Sequence, residues 1–212
     1  PGSDCVAIAA MGEIVPDELR AIAEEVVAQA AAFVRRRRTD IFDAPAGPEV
    51  RTKSTVTDPV TVADTESEHM VRELLARARP GEPVLGEEGG GVPGTSGRRW
   101  IVDPLDGTRN YLSGSGPWSV CIALQDGPGD DDLALAVVHE PVVGETFSAI
   151  SGEGAFLDGS PVTASDHTDL DSALAGLSFD PSDTTKHLMA EVIGLLLPEV
   201  GDIRRLPAAL DL

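Results

Sequence analysis

Apolar residues recur at helical spacing as far as Pro80 and at extended spacing beyond it, and this change of period most constrains the fold. A first helix opens at Pro16, with Asp17 and Glu18 at the positive end of its dipole and an apolar stripe of Leu19, Ile22, Ala23, Val26, Val27, Ala30 and Phe33. The basic run Arg35 to Arg38 reads as cations at its C-terminus, and a Pro- and Gly-rich loop through Pro48 follows. A second helix opens near Asp64 or Thr65, where Thr65 and Glu68 have capping-box spacing, and runs through Met70, Val71, Leu74, Leu75 and Ala78 with His69 on its surface. Short strands then follow at Val84-Leu85, Trp100 to Val102, Ser119 to Leu124, Leu133 to His139 and Glu145 to Ile150. Asp158-Gly159 occupies the place of a two-residue hairpin turn. A strand from Ala173 to Leu177, a helix from Thr185 to Leu197, a strand from Asp202 to Leu206 and a helical turn from Ala208 then alternate, so the fold class is α/β.

With Lys plus Arg at 16 and Asp plus Glu at 36, the formal charge is −20, which leaves no electrostatic footprint for nucleic acid or an anionic membrane. No run approaches the length of a bilayer span and no signal peptide is evident, so the expected setting is cytoplasmic. Cys5 and Cys121 are too few for a disulfide framework or a cysteine metal site, and Cys121 reads as core packing.

Three acidic clusters sit at strand ends or a helix start: Asp64, then Gly86-Glu87-Glu88, then Asp103-Pro104-Leu105-Asp106-Gly107-Thr108. Trp100-Ile101-Val102 should be a buried strand that delivers Asp103 at its tip, with Pro104 barring further ladder pairing and Gly107 permitting a tight turn. Clustered carboxylates repel unless a cation neutralises them, and oxygen ligands without His or Cys select a hard ion such as Mg²⁺. Spacing alone leaves two readings open, a metal site or solvated loop acids. Gly107-Thr108 begins a short helix through Leu112, whose free N–H groups attract anions. Carboxylates, a hard cation and a positive helix end together suit metal-assisted phosphate-ester hydrolysis. No P-loop, dinucleotide fingerprint, H-E-x-x-H or EF-hand register is present, and Asp130 to Asp132 read as a solvated hairpin tip.

Gly86-Glu87-Glu88 followed by Trp100 to Thr108 closely resembles the inositol monophosphatase family, whose first signature is W-x-x-D-P-[IL]-D-G-T. The resemblance extends to Lys53 with Asp58 to Asp64, to His139-Glu140-Pro141 ahead of Glu145-Thr146-Phe147, to Gly152 to Phe156, and to Arg204-Arg205-Leu206 with Ala208 to Asp211. It implies a layered α-β-α-β-α sandwich of the sugar phosphatase type. It also implies a Mg²⁺-dependent, lithium-sensitive phosphatase that uses two or three ions and forms a homodimer. Pro1-Gly2-Ser3 reads as an expression remnant, so a single domain is expected over 4–212, with a metal-binding half over about 13–165 and the start of a C-terminal α/β half over about 166–212.

Carried over by resemblance, Glu87, Asp103 and the Leu105 carbonyl would hold one metal, and Asp103 with Asp106 a second. Thr108 and Glu87 would position and activate the attacking water, with Asp64 fixing Thr108. Asp106 and the Gly107 and Thr108 N–H groups would lie against the phosphate. Glu88 would be a secondary acid, and Lys53 would lie near a third, weaker metal site. The implied substrate is a small phosphorylated metabolite, first myo-inositol 1-phosphate. Histidinol phosphate, fructose 1,6-bisphosphate and 3′-phosphoadenosine 5′-phosphate are the alternatives, and a non-catalytic acidic binding module is the alternative of another class. The sequence departs from the pattern in two places. It stops at Leu212 before the family's second signature, W-D-x-A-x-G, so the C-terminal part is expected to be incomplete and the second metal to lack an aspartate. It also carries Leu206-Pro207-Ala208 where relatives commonly place Gly and a hydroxyl beside the substrate.

Overall fold

The computed structural model of the chain describes residues 16–42, 50–52, 59–91, 97–129, 132–178 and 183–210. Helix α1 (Pro16–Phe42) buries Leu19, Ala23, Val26, Val27 and Ala30 of the predicted stripe together with Ala31 and Val34, while Ile22 and Phe33 are only partly buried. It runs past the basic residues, which corrects their assignment to the helix end: Arg37 pairs with Glu66 at 2.6 Å and Arg38 stacks over Phe42. A small antiparallel pair, β1 (Val50–Thr52) with β2 (Pro59–Thr61), leads into α2 (Val62–Ala78).

Seven strands form one sheet in sequence order: β3 (Val84–Gly86), β4 (Arg98–Asp106), β5 (Ser119–Asp126), β6 (Leu133–Glu140), β7 (Glu145–Ile150), β8 (Gly154–Leu157) and β9 (Ser160–Val162). Only β3 and β4 are parallel; the remaining neighbours are antiparallel. Helices α1 and α2 pack on each other, with α1 against β5 to β7 and α2 against β4. Alternate residues of the central strands, including Trp100 and Val102, Val120, Ile122 and Leu124, and Leu135 and Val137, join the helices in one core. At the β8–β9 turn, Asp158 and Gly159 have φ of 49° and 76°, the left-handed pair a two-residue hairpin requires. The Asp158 carboxylate accepts the Thr146 N–H at 2.9 Å.

The short helix α3 (Thr108–Ser113) is tied to α1 by the Tyr111 hydroxyl, which donates to the Val34 carbonyl, and by Arg38 Nε, which donates to the Tyr111 carbonyl. The later residues form a separate parallel pair, β10 (Leu174–Gly176) with β11 (Asp202–Arg204), flanking α4 (Asp183–Leu196), and a 3-10 turn at Ala208–Leu210. The last strand therefore ends at Arg204, short of Leu206. Among the described residues no helix is long and apolar enough to cross a membrane.

Candidate active site

The strand β4 carries the site. Its pairing with β5 continues past Asp103 to Asp106, with a register shift between them, so Pro104 does not end the strand as expected. The irregularity absorbs the missing proline N–H, and the freed Pro104 carbonyl accepts the buried Ser67 hydroxyl of α2 at 3.1 Å. Asp103 and Asp106 thus leave one edge of a rigid strand, held from beneath by a helix.

Gly107 follows in the left-handed region at φ 89° and turns the chain into α3. A Cβ there would meet the Pro207 ring at 2.9 Å, so the position demands glycine on both conformational and steric grounds. Pro207 is buried against this turn. Thr108, the first residue of α3, has its hydroxyl 3.1 Å from Asp64 Oδ1 and 3.1 Å from the Leu105 carbonyl oxygen. Asp64 is almost fully buried in the first turn of α2. The contact between Asp64 and Thr108 joins residues 44 positions apart in sequence.

The Glu87 N–H donates to the Val102 carbonyl at 3.2 Å, which sets the Gly86-Glu87-Glu88 segment beside Asp103. The Asp103 carboxyl is pushed up to about 8, first by burial, then by the negative charges of Glu87 and Asp106, and it hydrogen-bonds with the Glu87 side chain. Two carboxyl groups in hydrogen-bonding contact must share a proton or be offset by a cation. Among the described residues no three His, Cys, Asp or Glu side chains are already disposed as an ion cage. The donor set of Glu87, Asp103, Asp106 and the Leu105 carbonyl is nonetheless all oxygen, and its mutual repulsion suits a hard divalent ion.

Asp106 Oδ2 accepts the Ala209 N–H at 2.9 Å and lies 3.4 Å from the Ser119 hydroxyl, which links the site to the last 3-10 turn. The Cys121 thiol is pushed up by burial and by the nearby acids, in keeping with a packing role. A cleft of about 1380 Å³, lined by Trp118, Val138, Phe147, Ala209 and Leu210 among others, includes none of the clustered acids. Lys53, Asp58, Cys5, Asp130, Asp131 and Asp211 lie outside the described residues.

One participant was misread from the sequence. Glu68 does not close a capping box with Thr65, because α2 already begins at Val62 and the Thr65 hydroxyl donates to the Val62 carbonyl. The Glu68 side chain is buried, and it accepts the Glu88 N–H at 2.6 Å and the Gly89 N–H at 2.9 Å. Its i,i+4 spacing from both Asp64 and Arg72 was the available signal.

The chain is 41% identical over 212 residues to an inositol-1-monophosphatase of Mycobacterium leprae, covering 93% of this chain and 72% of the relative. It is 38% identical over 165 residues to a histidinol-phosphatase of Streptomyces coelicolor, covering 77% and 59%. Among solved structures it superposes on the suhB extragenic suppressor protein of Bartonella henselae with a TM-score of 0.82 at 28% identity, covering 92% of this chain and 72% of that one. It superposes on Mycobacterium tuberculosis SuhB with a TM-score of 0.76 at 35% identity, covering 94% and 73%. The family match spans residues 15–203, through every loop that carries the clustered acids and Thr108, and the chain belongs to the inositol monophosphatase family.

Proposed function

We propose that the protein is a metal-dependent phosphomonoesterase acting on a small phosphorylated alcohol, with myo-inositol 1-phosphate as the first substrate. The observation that carries this reading is the Thr108 hydroxyl, held between Asp64 and the Leu105 carbonyl beside the acids of β4. A threonine hydroxyl has one hydrogen, and both of its neighbours only accept. With that hydrogen committed, its lone pairs remain to accept from a water and so aim an attacking oxygen.

On this reading Glu87, Asp103, Asp106 and the Leu105 carbonyl hold Mg²⁺. When bound, the ions offset the carboxylates, polarise the phosphoryl group and stabilise the leaving oxygen. Glu87, the most exposed of the acids, would take the proton of the water that Thr108 orients. The N–H groups of Gly107 and Thr108 open α3 with no side-chain cap and are offered to phosphate oxygens. Glu88 is a secondary acid, and Lys53 is assigned near a third ion by resemblance alone.

Inositol 1-phosphate is favoured by the Mycobacterium leprae relative's name, and histidinol phosphate is the second reading because the Streptomyces coelicolor relative bears that name. Phosphate release from these two, fructose 1,6-bisphosphate and 3′-phosphoadenosine 5′-phosphate, with and without a chelator, tests the proposal. Activity on none of them, or full activity in excess chelator, refutes it. A homodimer, a cytoplasmic setting and lithium inhibition follow from the same reading; sedimentation and a lithium titration of phosphate release check the first and last.

A further inference from the structure

The acids that gather at β4 come from two separate segments, and something must hold those segments in register. Asp64, Glu68 and Arg72 lie four residues apart on α2 and so share one face of the helix. Asp64 reaches Thr108, while the next two residues reach the segment that follows β3. Glu68 accepts the N–H groups of Glu88 and Gly89 on its two carboxylate oxygens, at 2.6 and 2.9 Å. Arg72 Nε donates to Glu68 at 2.8 Å, its Nη1 donates to the Val84 carbonyl at 2.9 Å, and its Nη2 donates to the Gly90 carbonyl. The pair therefore grips the backbone on both sides of Glu87, taking hydrogens from one flank and giving them to carbonyls at both ends. The fit is close: a Cβ on Gly86 would overlap the Glu68 carboxyl, and one on Gly89 would come within 2.7 Å of Glu68 Oε1. The Gly86 N–H bond to the Gly90 carbonyl, 3.0 Å, closes the loop inside this grip.

We infer that Glu68 and Arg72 are positioning residues that clamp the Gly86–Gly90 loop and so fix Glu87 opposite Asp103, with α2 setting the distance between the two acid-bearing segments. This rests on the proposed reading of the site as a metal centre. The charge matters as well as the shape. An ionised carboxylate can accept from two N–H groups and a guanidinium at once, whereas a glutamine amide would turn donor hydrogens toward donors.

The test uses the full chain. Glu68→Gln should weaken Mg²⁺ binding, measured by calorimetry, about 10–100-fold, as loss of a group that orients a metal ligand does. The same variant should speed hydrogen exchange at the Glu88 and Gly89 amides. Arg72→Lys, at a partly exposed position, should give a smaller change in the same direction and covers the case in which Glu68→Gln does not fold. Glu82→Gln is the control: it removes the charge of a buried pair with Arg79 and leaves one oxygen for the two donors Arg79 and the Trp100 indole at the other end of β3, and it should lower the melting temperature without changing Mg²⁺ affinity. Wild-type Mg²⁺ affinity in folded Glu68→Gln or in Arg72→Lys, or an equal loss in Glu82→Gln, overturns the clamp. Failure of the wild type to bind Mg²⁺ instead refutes the metal reading, and the exchange rates at Glu88 and Gly89 still report on whether the loop is gripped.

Discussion

Thr108 and Asp106 can each be tested by one substitution, the first removing a hydroxyl and the second a charge. Thr108→Ala deletes the hydroxyl between Asp64 and Leu105 and leaves the start of α3 intact. If the hydroxyl orients water in the transition state, kcat should fall about 100-fold or more while KM stays within a few-fold, because the lost interaction is absent from the ground state. Steady-state kinetics decide this, and a change confined to KM would make Thr108 a binding residue. Asp106→Asn preserves shape and can still accept the Ala209 N–H, but it loses a charge. Phosphate release should fall by orders of magnitude, with little change in far-ultraviolet circular dichroism. Gly107→Ala is a conformational test: it forces a side chain into φ 89° against the Pro207 ring and should destabilise the fold by about 1–3 kcal/mol, read from urea denaturation.

The strand β4 and the helix α2 act as one unit because their polar groups are matched at depth. Ser67 is fully buried and its hydroxyl donates to the Pro104 carbonyl, which β4 cannot use in an unbroken ladder. Ser67→Ala should therefore cost about 1–3 kcal/mol, the penalty of leaving a buried acceptor unpaired. The loss should appear as a lower urea midpoint with an unchanged m-value. The register shift explains why a proline is tolerated inside a nine-residue strand, where only β5 runs alongside because β3 pairs no further than Val102.

Across the whole molecule, an acidic chain has concentrated carboxylates in one place, and stability should record it. Asp103 is raised to about 8, well above the usual carboxylate range, mainly by burial and then by the charges of Glu87 and Asp106. A carboxyl raised on folding stabilises the native state fully at pH values below its ordinary range near 4, and that contribution is lost as pH climbs toward 8. In chelator the melting temperature should therefore fall between pH 5.5 and 8.5, a window of about 3 units below and around the raised value. Mg²⁺ competes with that proton, so its stabilising effect should be small at the acid end and grow toward pH 8. Asp103→Asn should flatten the fall and abolish the Mg²⁺ effect; differential scanning calorimetry at several pH values measures both.

The helices, the strands from Val84 onward, the Asp158-Gly159 turn and the clustering of Glu87, Asp103 and Asp106 were legible in the sequence, whereas the β1–β2 pair was not. Each of these is written in local order: a 3.6 period, a period of two, a glycine after an aspartate, or acids at the end of an apolar run. The tertiary structure alone decided where the helix ends fall and what the long-range polar groups do. Arg35 to Arg38 looked like a terminus because local charge suits a dipole, yet packing on Phe42 and Glu66 carries α1 further. Pro104 looked like a strand end because it lacks a donor, yet Ser67 supplies a partner for its carbonyl from another element. Glu68 looked like a cap because capping is a short-range pattern. Its two amide partners lie 20 and 21 residues away, and only the folding of α2 against β4 brings a carboxylate and two N–H groups into the same buried place.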